Sequence, residues 1–254
     1  MYFDEENITK LMNEQNRIIS DSYERVTYLY IAFAEAHPKS SEYALHGFVR
    51  RIGTLQRCIQ NVYSIYPPRR SNIPSREDCV DLTINLQSFV FNVFGCVDNL
   101  AWIWVLEREI TKDGQKLPSK DVGFNKKIIQ QSLTAEFRSY MANLGGWFKY
   151  LESFRHALAH RIPLYIPPYV VRPRNHERYS DLERKKNDAI RRRNFDEYHR
   201  LDLEQSELGE FVPEMRHSFV ERSGSAVFHA QMLADWNTVA EMAEKFVAQF
   251  KEPS

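Results

Sequence analysis

Residues 75–114 read SREDCVDLTINLQSFVFNVFGCVDNLAWIWVLEREITKDG, and this stretch decides the fold. Leu82, Leu86, Phe89, Val93, Val97, Leu100 and Trp104 recur at spacings of three and four, the repeat of one face of an α-helix. A second apolar line carries Phe91, Phe94, Ala101 and Val105, so neighbours must wrap this helix on most sides. Ser75 offers an N-cap, and Glu77 and Asp78 an acidic first turn. Lys112-Asp113-Gly114 is a turn signal that ends the run. Asn92, Asp98 and Asn99 interrupt the most apolar part, Phe89 to Leu106. A charge near the centre of a membrane-spanning helix is costly, so the stretch reads as a buried core helix.

Working outward, Ile8, Leu11, Ile18, Ile19, Val26, Leu29 and Phe33 give loose helical spacing from about Glu5 to Ala36, closed by His37-Pro38. A second helix runs from about Ser40 to Tyr66, with Leu45, Phe48, Ile52, Leu55, Ile59 and Val62 on one side. A linker over 115–132, with room for one helical turn, precedes a helix that starts near Thr134. Its seam carries Phe137, Met141, Leu144, Phe148, Leu151, Leu158 and Ile162, and Pro163 stops it, because proline disfavours helical backbone at the residue before it. Ile162 to Pro173 reads as extended. Asn175 to Glu210 is charged and helical in its first part. Phe211 to Val220 reads as extended again and pairs with Leu164 to Val171 as a small ribbon. A Ser223-Gly224-Ser225 turn leads to a last amphipathic helix through Phe228, Met232, Trp236, Val239, Ala243, Phe246 and Phe250. The expected fold is all-α: one domain over 1–254, an up-and-down bundle of four to five long helices, with a polar, partly extended insertion at about 163–225.

Composition is consistent with this. The 254 residues are 43% hydrophobic and 27% charged, and nine glycines are few for a turn-rich β fold. Thirty-four cations balance 34 anions, so any attraction to nucleic acid or membrane must come from local patches. Cys58, Cys79 and Cys96 form no C-x-x-C pair, which argues against a disulfide framework or structural zinc. The acidic start Met1-Tyr2-Phe3-Asp4-Glu5-Glu6 does not resemble a secretory signal, and a reducing cytoplasm is the expected location.

Arg155 breaks the seam of the fourth helix. A cation there must be paired or line a cleft. His156 and His160 lie one turn apart beside it, and the helix dipole favours a protonated imidazole at the last turn. A histidine near neutrality moves protons, and a guanidinium holds phosphate through two parallel hydrogen bonds. Together they suit RNA cleavage by the neighbouring 2′-hydroxyl, which needs no metal. On an ideal helix Arg155 and His160 point about 140° apart. They converge only where the helix end unwinds or two chains share a cleft. The other reading is a core arginine paired to a carboxylate, with two histidines on the surface.

Arg155-His156-Ala157-Leu158-Ala159-His160 resembles the R-x4-6-H motif of HEPN domains. The resemblance implies a helical bundle and a metal-independent endoribonuclease, a toxin or antiviral defence effector, acting as a homodimer on RNA. It implies catalytic roles for Arg155 and His160 and a supporting one for His156. It brings an antitoxin or regulatory protein as a further partner. A non-catalytic helical module that binds nucleotide, RNA or protein is the alternative.

Other residues join the candidate site. Asp98, with Asn99, is expected to orient Arg155 from the facing helix; the alternative is a core polar contact. Arg184, Lys185, Lys186, Arg191, Arg192 and Arg193 offer either an RNA-backbone contact or a solvated helix face. Asp235 and Asn237 read as solvated, with Asp235 also placed to face the motif. No Glu sits between the histidines as in H-E-x-x-H, and no Gly-rich phosphate loop, G-x-S-x-G or kinase signature occurs, so neither metal nor cofactor is expected.

Overall fold

The computed structural model describes residues 2–34, 36–218 and 224–251. The chain is predominantly helical, as its patterning predicts. The first helix, α1, spans Glu5–Ala34; α2 (Pro38–Glu42) passes through a π-helical segment, Tyr43–Val49, into α3 (Arg50–Ile65). The long central helix is α4 (Arg76–Glu107). Its start is the one the sequence announces. The Asp78 amide donates to Ser75 Oγ (3.0 Å), and the Ser75 amide donates to Asp78 Oδ2 (3.4 Å), a reciprocal capping box.

After α4 comes a tight hairpin of β1 (Thr111–Lys112) and β2 (Gln115–Lys116). Asp113 (φ 52°) and Gly114 (φ 76°) fill its turn, the left-handed pair that a two-residue hairpin requires. The fourth predicted helix is divided. It forms α6 (Ala135–Asn143) and α7 (Gly145–His160), and the linker before it carries a short helix, α5 (Lys127–Ser132). Leu144 (φ −83°, ψ 6°) breaks the ladder between α6 and α7. Gly145 and Gly146 follow it, and glycine is a poor helix residue that favours kinks.

The segment at 163–225 forms β3 (Val170–Val171), α8 (His176–Arg191), α9 (Phe195–Ser206), β4 (Gly209–Glu210) and β5 (Glu214–Met215). It is more helical than expected: α8 and α9 make an antiparallel hairpin with its own small core of Leu182, Ala189 and Leu201. The ribbon exists but starts earlier, with Val170 opposite Glu210, Val171 opposite Gly209, and Tyr165 bridged to Arg216. Val220 and Ser223 of the predicted ribbon and turn lie outside the described residues. β6 (Ala226–Val227) pairs with β5 and leads into α10 (Phe228–Lys251).

α4 packs against α3, α7, α10 and the π segment. Phe48, Phe89, Trp104, Phe137, Trp236 and Phe246 fill the space between them, each almost completely buried. On α10, the side chains of Phe228, Met232, Trp236, Val239, Ala243 and Phe246 line the buried face as predicted; that of Phe250 lies outside the described residues. Among the described helices, α4 alone is long and apolar enough to cross a membrane by length and composition, and 56% of that apolar window is buried within the chain.

Candidate functional site

The site is built on the face of α4 that lies between α3 and α7. Its residues are set by a glycine. Gly95 leaves room for Arg51 of α3 to cross the helix: a Cβ there would stand 2.4 Å from the Arg51 guanidinium carbon. Arg51 Nε donates to Asn99 Oδ1 and Arg51 Nη1 donates to Asn92 Oδ1, both at 3.0 Å. Gly47, in the π segment, makes matching room for the Asn99 side chain, whose Nδ2 would be 2.6 Å from an added Cβ.

Arg155 reaches α4 from α7 on the neighbouring side, which carries Phe94 and Asp98. It is half-buried, and its guanidinium carbon lies 5.1 Å from the centre of the Phe94 ring. Asp98 stands among these groups. Crowding by its neighbours pushes the Asp98 carboxyl above the usual carboxylate range, while the Arg155 and Arg51 guanidiniums pull it back. The residue as a whole is nonetheless exposed, so the upward push is a local effect of close packing around the carboxyl and not of full burial. Asp98 therefore feels the Arg155 charge without forming a close ion pair with it, and the direct contact of that guanidinium is the Phe94 ring. Asn99 does not share that role: its side chain is engaged by Arg51, because the π segment holds it toward α3.

His156 and His160 lie elsewhere. Both are exposed, with ring centres 6.2 Å apart, and they line an open recess with Lys149, Glu152, Ser153 and Arg161. The helix stays wound through His160. The Arg161 amide still donates to the Ala157 carbonyl (3.0 Å), and the chain leaves the helix only at Arg161 (φ −133°, ψ −128°). Arg155 and His160 consequently occupy different faces of α7 within one chain. The recess also touches a buried histidine that the sequence reading passed over: His217 Nε2 lies 3.2 Å from Ser153 Oγ, and its ring packs edge-on against Phe154. Arg51, Asn92 and the two glycines were missed as well. Their signal was faint: polar or small residues at 92, 95 and 99 recur at helical spacing through an otherwise apolar helix.

The basic residues of the hairpin divide. Lys186 is buried and turns inward, donating to Gln205 Oε1 (2.7 Å) and Asp202 Oδ1, so it holds α8 to α9 and is not an RNA contact. Arg184 and Lys185 pair with Asp181, and Arg191 lies beside Asp188, all on the exposed face. Arg192 and Arg193 are exposed at the tip. Asp235 corrects the expectation of a solvated group. It is buried, because Trp147 Nε1 of α7 and Gln231 Nε2 both donate to Oδ1 at 2.8 Å. Desolvation nevertheless pushes its carboxyl up to about 6. Asn237 is also engaged, with Glu14 and Arg17 of α1. No cluster of three or more His, Cys, Asp or Glu side chains suited to a metal occurs among the described residues.

No protein-family model matches the chain, and neither the curated proteins nor the solved structures contain a match to it.

Proposed function

We propose that the chain is a metal-independent endoribonuclease of the HEPN type, a toxin or defence effector that works as a homodimer. The observation that carries this reading is the pair of basic groups on one short helix. Arg155 lies half-buried against the Phe94 ring and in the field of Asp98, and His160 is open to solvent at the end of α7. A guanidinium held in place stabilises a phosphorane without reorganising. In the reaction the 2′-oxygen attacks phosphorus, the 5′-oxygen leaves, and His160 carries a proton between them. The products are a 2′,3′-cyclic phosphate and a 5′-hydroxyl.

Since Arg155 and His160 face apart, one chain does not complete the cleft. The exposed line Val80, Ile84 and Phe91 on α4 runs toward Asp98 and supplies an apolar face for a second copy to cover. A two-fold contact there places each Arg155 beside the partner's surface. The test is cleavage of a defined RNA with chelator present. Wild type is expected to leave 2′,3′-cyclic ends, and Arg155→Ala and His160→Ala to lose at least about a hundredfold in rate. Folding should survive in both, since Arg155 is half-buried and His160 exposed. Metal-dependent cleavage, or activity that persists in both variants, overturns the proposal.

The separation of the two groups also favours a second reading, a helical module that binds RNA or protein without cutting. Under it, RNA is retained on gel shift in chelator but stays intact, and Arg155→Ala weakens binding while His160→Ala does not.

A further inference from the structure

A cavity of about 360 Å³ opens between α4, the loop before α5, α6 and α7. Its size falls within the roughly 300–1,000 Å³ of small-molecule sites. Phe94, Met141 and Phe148 form apolar walls, and three charges stand on the same lining: Asp98 of α4, which lies in the field of Arg155 and Arg51, Arg138 of α6 and Glu152 of α7. The side chains of Arg138 and Glu152 make no hydrogen bond or ion pair with another described residue. A cation and an anion left open on one aromatic-walled cavity fit a flat ligand that presents acceptors on one edge and donors on another.

We propose that this cavity receives a guanine base of RNA, an inference that rests on the RNA-directed reading above. The Glu152 carboxylate accepts from N1–H and the 2-amino group. The Arg138 guanidinium donates to O6 and N7, the fork that arginine commonly makes with guanine. The aromatic walls stack on the ring, a contact open to any base. Adenine turns an acceptor toward the carboxylate at N1 and a donor toward the arginine at N6, so both charges face the wrong partner. The link to Arg155 is Phe94, whose ring lines the cavity and also carries the Arg155 guanidinium at 5.1 Å. A base seated in the cavity therefore sets its neighbouring phosphate beside Arg155.

The experiment is calorimetric titration of the whole chain with guanosine, adenosine, guanosine 3′-monophosphate, and a uridine hexamer carrying one central guanosine. Guanosine is expected to bind at least about tenfold more tightly than adenosine. Glu152→Gln should erase that preference. Ala142→Trp, at an exposed position on the lining, should block binding with the helical content unchanged. Arg155→Ala should weaken the 3′-monophosphate but not guanosine. No saturation by guanosine, equal binding of the two nucleosides, or an unaltered preference in Glu152→Gln overturns the base pocket. Equal affinity for the hexamer and the mononucleotide overturns its assignment to RNA. None of these readouts needs cleavage, so a chain that binds guanosine without cutting RNA overturns the nuclease reading and leaves the pocket standing.

Discussion

Two glycines test how the site is held. Gly95 and Gly146 both lie in helices, and alanine is the better helix former by about 1 kcal/mol. At Gly146 an added Cβ meets open space, so Gly146→Ala is expected to stabilise the protein by roughly 0.5–1 kcal/mol. At Gly95 the same methyl group drives Arg51 off Asn92 and Asn99. Gly95→Ala should cost roughly 1–2 kcal/mol net, since two amide acceptors on a packed face lose their donor. Urea denaturation separates the two outcomes by sign. The same residues show what a sequence tells about a site. Arg155 was legible because it is out of place on an apolar seam; its guanidinium rests on the Phe94 ring, with the Asp98 charge acting on it from farther off. Arg51 was not, because nothing local is wrong with an arginine beside a helical stripe. Its importance comes from a partner 48 positions away.

At the level of single elements, patterning located most helices, and local chemistry set their ends. The Ser75 cap is the clearest instance. Ser75→Ala removes one half of the capping box and is expected to cost about 1 kcal/mol, read as a shift in the thermal midpoint. The break between α6 and α7 was hidden because Phe137, Met141, Leu144 and Phe148 keep helical phase across it; Gly145-Gly146 was the overlooked sign. The hairpin of α8 and α9 was half visible. Its charged sequence gives little periodicity, and Lys186 is buried only because Asp202 and Gln205 meet it from the other helix.

Across the whole molecule, two buried groups titrate in opposition. Asp235 is raised to about 6 by desolvation, and His229, whose Nε2 donates to the Tyr66 carbonyl (2.6 Å), is lowered to about 4 by burial. Between pH 4 and 6 the folded state holds more protons than the unfolded state at Asp235, so this group makes stability fall as pH rises. Between pH 4 and 6.5 the unfolded state holds more at His229, so this group makes stability rise with pH. Each is worth roughly 3 kcal/mol across its range, and they largely cancel. Relative to wild type, Asp235→Asn should lose stability on acidification from pH 7 to 4.5, and His229→Gln should gain it. Urea unfolding at the two pH values measures both slopes.

The hairpin of α8 and α9 stands on closely spaced feet. Asn175 Nδ2 donates to the Leu208 carbonyl (3.1 Å), and β3 lies against β4. Its far end carries Arg191-Arg192-Arg193, all exposed, with Arg193 in a left-handed turn at φ 54°. Brief trypsin treatment should nick the native protein there first. The resulting fragments are expected to co-elute under native conditions and part only in denaturant, because α10 remains threaded through the bundle after the peptide bond is gone. The molecule is thus ready-made for fragment complementation: supplied as two polypeptides, it should reassemble around α10, and rejoining would report folding by proximity of the two new ends.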